Sequence, residues 1–544
     1  MQPSANTRPA ITLGVAAFLA IYAGLAIAAA GATGWPPIYP LDDTYTQMSL
    51  ARTLAESGTF GFIEGIPAFS SSSPIWVLAL AAASFAMPMA FAPALLNVIC
   101  GILLIVTGVR YLAGRGMSTR HLIAAAIALV TIPALPAVAA IGLEHVAHAW
   151  LSLLFAGAVV AVAGGATRGR SQLWLLPLAA LLTGCRFEGF FLVAAASLLL
   201  ARRRLMLSVA IVAAAFLPLA IHATFSVRAG WYPLPATLVI KGNYPAERSV
   251  SGVTTAAGTR AVRIVDIART GSREFRVVGL AAVTAVNLLG LAWALRRRHF
   301  PPADVRMSLL FVGALTFHAL LAKLDRTFGR YEMYLVVLGL TSAIPWAAAA
   351  IRHTRQAGLT GMRKTLVYGL AALLSVAIGF AILSRSLQVM QRARAGSNEI
   401  FLQQYQMARF AASAYAGQSV VINDLGLMTF AGRVNPIDIA GLGTIEIARL
   451  ITARSMSPKA VDDLARARGA QLAIVYPSWL ERLAGGIPQG WVPVAELVAP
   501  PTEVAAHRAV TFYAVSPAHA PRLREELRSF EPSLPAASRL VWID

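Results

Sequence analysis

The chain has 544 residues, of which 57% are hydrophobic and only 13% charged, with a mean hydropathy of +0.65. Charge-free stretches of about 20 residues recur along it, which excludes an ordinary soluble core and predicts a polytopic membrane protein. The net charge of +21 does not point to nucleic acid, because the basic residues sit in short clusters between apolar runs, as orientation signals do.

In chain order, Ala10 to Ala30 carries no charge and reads as an uncleaved first span, since the apolar run exceeds a signal peptide's and only Arg8 precedes it. Pro40-Leu41-Asp42-Asp43-Thr44-Tyr45 then emerges at a membrane surface and opens a first external loop, residues 32–91. Within it, Thr44 to Glu56 reads as an amphipathic helix lying in the interface, followed by a turn at Gly58 to Phe62. The alternative to a catalytic role for the Asp pair is an N-cap, with Asp43 accepting from the free amides of that helix, and the two are compatible, since one carboxylate can cap while its neighbour projects into a cleft. The apolar stretch Pro74 to Ala90 is left over as a segment that dips in and returns or lies along the surface.

Crossings fit near 10–31, 92–110, 121–141, 146–166, 172–185, 188–201, 205–225, 277–295, 307–323, 333–351 and 366–384, with 172–201 short for two full passages. The clusters Arg110/Arg115/Arg120, Arg168/Arg170, Arg202/Arg203/Arg204, Arg296/Arg297/Arg298 and Arg352/Arg355/Arg363/Lys364 mark the cytoplasmic loops. The acids lie in the opposite loops, so the amino terminus is expected inside and the carboxyl terminus outside. Cys100 and Cys185 lie in or beside apolar spans and imply no disulfide framework or Cys-based metal site.

From Arg385 onward no run is long enough to span. Helical patterning at 398–415 and 458–468 alternates with strand-like runs at 419–423, 472–476, 491–498, 510–515 and 539–543. The fold expected is therefore a polytopic α-helical membrane domain over residues 1–384, with about eleven spans, and an extracytoplasmic α/β domain over 385–544. Asn423-Asp424-Leu425-Gly426 and Asp438 to Gly443 read foremost as glycine turns at strand ends, with a sugar site as the alternative.

Ionisable residues at the margins of apolar spans are costly enough to suggest a purpose. Glu144, Arg186, Glu188, Lys241, Arg326, Arg330 and Glu332 would all gather on the outer side. An acid with several fixed cations there suits a donor whose leaving group is a lipid-linked phosphate: such a phosphate departs unprotonated, so one general base and a set of cations suffice. An ordinary glycosidic bond would demand a second carboxyl as acid. Lys241 and Arg186 rank first to offset the phosphate charge, which would otherwise raise the pKa of the base.

At these residues the chain resembles the GT-C class of membrane glycosyltransferases, and most closely the branch of the mycobacterial terminal arabinofuranosyltransferase. The resemblance rests on Pro40 to Tyr45 with Ser72-Ser73-Pro74-Ile75-Trp76, on Gly142-Leu143-Glu144, on Arg186-Phe187-Glu188-Gly189, and on Tyr232 to Thr237 with Lys241. Thr44, Phe187 and Ala236 depart from the pattern, which has a small residue, Pro and Asn at those places. The resemblance implies an inverting transfer with Asp42 as general base, Asp43 and Glu144 positioning base or acceptor, and Lys241 and Arg186 on the donor phosphate. Arg330 joins the phosphate ligands, and Tyr45, Glu188 and Thr237 support the site. No cofactor is required by the sequence, although Asp42 and Asp43 together could hold a divalent cation.

The expected donor is a polyprenyl-phosphate-linked monosaccharide, with a lean toward arabinofuranose or another pentose. The acceptor is an envelope glycan, glycolipid or protein at the outer face of a bacterial inner membrane. A transporter or lipid flippase is the rival reading, but it would place ionisable groups near the midplane in broken spans, where this chain has only His148 as a mild exception.

Overall fold

The computed structural model describes residues 6–166, 169–241, 278–297, 302–322, 328–356, 361–502 and 504–544. Eight helical segments among them are long and apolar enough to cross a membrane: Arg8–Thr33, Met89–Ala113, Thr119–Ile141, His145–Ala163, Leu205–Arg228, Gly279–Arg296, Pro302–Leu321 and Met333–Thr354. Many of their apolar side chains face outward, among them Leu13, Ile27, Leu95, Leu217 and Phe225. This is the distribution expected where lipid replaces water and every backbone group must be satisfied within the helix.

The remaining apolar segments are short. Leu175–Cys185 and Gly189–Ala201 form a pair of 11 and 13 residues, about 17 and 20 Å of helix against a hydrocarbon core of about 30 Å. Pro74–Ser84, again 11 residues, is too short to cross. Between the long helices, polar side chains tie the bundle together. Ser308 donates to Asn287 Oδ1 at 2.7 Å, Asn287 Nδ2 donates to the Gly339 carbonyl at 3.0 Å, and Trp346 Nε1 donates to Ser308 at 2.8 Å. Interhelical bonds of this kind hold helices together where lipid supplies no hydrophobic drive.

A longer helix, Gly361–Leu402, runs 42 residues and carries the chain past Arg385 toward the sheet domain without interruption. A sheet of six strands follows: β1 (Ser419–Ile422), β2 (Asn435–Asp438), β3 (Leu472–Val475), β4 (Val492–Val498), β5 (Ala509–Ala514) and β6 (Arg539–Trp542). Their order is β2-β1-β3-β5-β4-β6, with β1 parallel to β2 and β3 and the other pairs antiparallel. Helices Pro458–Ala467 and Ala520–Phe530 present buried stripes to the sheet through Val461 and Ala465, and through Leu523 and Leu527. The sequence pattern misses β2, whose Pro436 speaks against a strand; β2 is an edge strand, where a missing donor is tolerated.

Two helices bring the membrane part and the sheet domain together. Asp42–Ser57 packs along the short helix Gly426–Phe430. Beside it, Arg449 donates to the Gly230 carbonyl at 2.7 Å, and the Tyr232 and Thr452 hydroxyls lie 2.6 Å apart.

Candidate functional site

A cavity of about 570 Å³ opens under the sheet domain. Asp43, Thr46 and Gln47 reach it from one face of the Asp42–Ser57 helix, as residues three and four apart must. Ser70 to Ser72 enter from the following loop, where the Ser71 hydroxyl donates to Gln47 Oε1 at 2.8 Å. Leu143, Glu144 and His145 come from the entry to His145–Ala163, Arg186, Phe187 and Glu188 from the turn between the two short helices, and Phe190 and Phe191 from the start of the second. Leu234, Thr237 and Leu238, Arg330 and Tyr331, and Leu442 of the sheet domain complete the wall.

Local sequence explains these approaches. Gly142 has φ +82°, and a Cβ there would stand 2.7 Å from the Tyr39 ring and 2.9 Å from Thr44 Cγ2, so the glycine admits the loop carrying Glu144 against the Asp42–Ser57 helix. The Thr44 hydroxyl then donates to the Ile141 carbonyl at 2.7 Å. The departure from a small residue at position 44 thereby becomes a tie between the two elements. Thr237 is held in the same manner, donating to the Ser70 carbonyl at 2.8 Å.

The charges form two groups. Arg186, 5% exposed, donates through Nη1 to Glu144 Oε1 and through Nη2 to Glu188 Oε1 at 2.6 Å. Arg330 Nη2 donates to Asp43 Oδ2 at 2.9 Å. Both guanidiniums lie against the Tyr331 ring, at 4.8 and 5.2 Å from its centre, an attraction between cation and π face. The second oxygens of Glu144 and Glu188 are buried with no hydrogen-bond partner. An orphaned buried acceptor is expensive, so these oxygens are poised to receive hydroxyl or amide donors.

One wall is apolar. Ala215, Phe216 and Leu219 lie 9 to 13 residues before Arg228, the end of their helix on the sheet-domain side, which sets them about 14 to 20 Å into the span. Phe216 is 46% exposed on the bundle's outer face. Phe187, Phe190 and Phe191 line the same wall. Phe187 thus supplies apolar surface where the resembled pattern has a proline.

The structure brings together Asp43, Glu144, Arg186, Glu188, Thr237 and Arg330. It moves others out of the places expected for them. Asp42 does not line the cavity: its Oδ2 accepts from Gly426 N at 2.6 Å and its Oδ1 from Leu427 N at 2.8 Å. Exclusion of water, with the Asp424 carboxylate nearby, pushes Asp42 up to about 7, while the two amides pull the other way. Nor does Asp43 cap the helix, which starts at Asp42 with Leu41 in the capping position and no side-chain cap. Tyr45 is buried away from the cavity, its hydroxyl accepting from Tyr39 N at 2.9 Å and its ring against Tyr39 and Phe430. Glu332 lies back from the cavity, 3.6 Å from Arg385. Lys241 ends the helix Ala236–Lys241; its side chain, like Arg326, lies outside the described residues.

Asp42 and Asp43 turn to different neighbours, one to backbone amides and the other to Arg330. Among the described residues, no group of three His, Cys, Asp or Glu is spaced to hold a metal. Gln47, His145, Tyr331 and Leu442 are lining residues that sequence reasoning misses. Gln47 is within reach of the i,i+4 rule applied to Asp43, whereas Leu442 sits in a glycine-rich turn with no periodic signal.

In the sheet domain, residues 398–513 match a family model described as Domain of unknown function (DUF8728). No curated protein matches the chain at a significant level. Among solved structures, ArnT from Cupriavidus metallidurans bound to undecaprenyl phosphate is similar with a TM-score of 0.54 and 14% identity, over 94% of this chain and 98% of that one. The oligosaccharyltransferase of Archaeoglobus fulgidus, in complex with Zn and sulfate, is similar with a TM-score of 0.50 and 12% identity, over 97% of this chain and 74% of that one. The fold is thus that of the GT-C membrane glycosyltransferases, carrying a C-terminal α/β domain.

Proposed function

We propose that this protein is a glycosyltransferase that moves a monosaccharide from a polyprenyl-phosphate donor to an acceptor hydroxyl, with Asp43 as general base. The observation that carries the reading is the union, in one cavity, of a buried charged floor with an apolar wall built from residues well inside a membrane span. A polyprenyl-phosphate sugar presents those two chemistries in one molecule, and the likeness to a fold solved with undecaprenyl phosphate supports the match.

Asp43 is the carboxylate of the Asp42-Asp43 pair that meets the cavity, and its side chain is 52% exposed, within reach of an incoming acceptor. In the reaction the acceptor oxygen forms a bond to the anomeric carbon as the bond from that carbon to the phosphate oxygen breaks. The acceptor's proton passes to Asp43, and polyprenyl phosphate leaves as an anion, so a single displacement inverts the centre. Arg330 orients Asp43 from 2.9 Å. The orphaned oxygens of Glu144 and Glu188 are suited to sugar hydroxyls.

The described lining residues include three carboxylates, Asp43, Glu144 and Glu188, against two arginines, Arg186 and Arg330. A phosphate therefore calls for a further cation, the role in which Lys241 remains the candidate. The resemblance to the arabinofuranosyltransferase branch favours a pentose, and an envelope glycan, glycolipid or protein as acceptor. The fold and charge pattern suit a bacterial inner membrane with a cytoplasmic amino terminus and a periplasmic sheet domain.

Purified protein should release polyprenyl phosphate and glycosylate acceptor when supplied with polyprenyl-phosphate pentoses or hexoses, and Asp43→Asn should abolish transfer while donor binding persists. Transfer at the wild-type rate by Asp43→Asn would remove the base from the mechanism. Movement of lipid across liposomes without transfer from any donor would replace the reading with that of a transporter.

A further inference from the structure

The Asp42–Ser57 helix grips Gly426–Phe430 at both ends. At its start, the Asp42 carboxylate takes the amides of Gly426 and Leu427; at its finish, Arg52 Nη1 donates to the Phe430 carbonyl at 2.6 Å and Nη2 to that of Thr429 at 3.1 Å. The chemistry is complementary, carboxyl oxygens accepting from amides that the helix leaves free and a guanidinium donating to its last carbonyls. The seat is close as well. A Cβ on Gly426 would overlap the Asp42 carbonyl oxygen and lie 2.8 Å from Thr46 N.

This clamp sits one residue from the cavity. Asp43 and Thr46 line it from the same first turn that Asp42 anchors. The clamped domain contributes to the cavity in turn: Asp438 accepts from the amides of Ala440 at 2.8 Å, Leu442 at 2.7 Å and Gly443 at 3.0 Å, and the turn so fixed delivers Leu442 to the wall.

We infer that Asp42 is a positioning residue whose two bonds to the Gly426 and Leu427 amides hold the first helical turn against the sheet domain, and thereby set Asp43 in register with Arg330 and the acceptor. The inference rests on the reading of Asp43 as base. Asp42 touches no reacting atom; it acts through the contact between two parts of the chain. The catalytic unit therefore includes the sheet domain, which supplies both the amides that fix the base and one wall of the cavity.

The test compares initial rates of sugar transfer, with kcat and donor KM determined separately, in wild type, Asp42→Asn, Gly426→Ala and Asp43→Asn, each checked for folding by gel filtration and thermal unfolding. Asparagine retains one acceptor but turns an NH2 toward the second amide. Alanine at 426 leaves both aspartates intact and forces the two helices apart. Both variants should lower kcat by about 10- to 100-fold, the scale of a misplacement near 1 Å, with donor KM within about 2-fold because the charged floor and apolar wall are untouched.

Wild-type kcat in Asp42→Asn overturns the inference. So does an inactive Asp42→Asn beside a fully active Gly426→Ala, because Asp42 would then act in its own right. Should either variant fail to fold, Arg52→Gln releases the other end of the clamp without altering either aspartate. It should lower kcat at constant KM, and an unchanged kcat counts against the clamp. The reading of Asp43 is judged by Asp43→Asn alone, so its failure is seen separately from that of the clamp.

Discussion

Arg186 is the buried cation on which two carboxylates depend, and replacing it by methionine gives the sharpest test of the cavity's electrostatics. The side chain is 5% exposed and bonds Glu144, itself 3% exposed, and Glu188, while the far oxygens of both acids already lack partners. Arg186→Met keeps much of the volume and removes the charge. Breaking a buried ion pair from one side destabilises by about 3–5 kcal/mol, roughly a fifth or more of the 5–15 kcal/mol that holds a folded protein together. Arg186 holds Glu188 down at about 2 against the pull of burial, so without the arginine this carboxyl would titrate above its ordinary value. The variant therefore takes up protons on folding, and its deficit should be largest at pH 8 and shrink toward pH 5. Thermal unfolding in detergent from pH 5 to 8 reads this directly, each midpoint taken relative to wild type at the same pH. Adding Glu144→Gln and Glu188→Gln removes the stranded charges and should restore most of the loss. A deficit independent of pH, or a triple variant no better than the single one, would refute the reasoning.

Two further outcomes follow from the same geometry. Asp42, pushed up to about 7 from an ordinary 3.8, keeps in the folded state a proton that the unfolded chain releases near pH 4. Its stabilising contribution is complete below about pH 4 and is lost as the pH rises through about 7. The unfolding midpoint of wild type minus that of Asp42→Asn should accordingly fall between pH 5 and 8, and a flat difference contradicts the assignment. Leu442→Trp thrusts bulk into the cavity from the sheet domain and should raise KM for donor or acceptor several-fold with the unfolding midpoint preserved; unchanged KM values would show that the wall at Leu442 lies clear of both substrates.

The residues most legible in the sequence are those whose cost in an apolar setting demands a reason. Glu144, Arg186, Glu188 and Arg330 stand at the ends of apolar runs and meet in one cavity, because span ends on one side of a bilayer are drawn together when the bundle packs. The choice between Asp42 and Asp43 is not legible. Neighbours on a helix point about 100° apart, and here both directions are polar, one toward the cavity and one toward amides 384 and 385 residues away. The residues flanking the pair do not say which is which until the sheet domain is in place. Hydrophobic patterning does not mark the contact either, since Gly426 admits the Asp42–Ser57 helix by lacking a side chain. The helix Gly361–Leu402 shows a different limit. The composition changes near Arg385, but the change does not end the helix, whose backbone continues to Leu402.

The bond between Asp42 and Gly426 also fixes when in its own biosynthesis the protein acquires its final form. At a synthesis rate of about 5–20 residues per second, roughly 20 to 80 s pass between the emergence of the aspartate from the ribosome and that of its amide partners. During that interval seven of the eight apolar helices are themselves made, and the Asp42–Ser57 helix has no sheet-domain partner to fasten it. A chain that stalls before Gly426 has neither the amides that meet the Asp42 carboxyl nor the Leu442 side of the cavity wall.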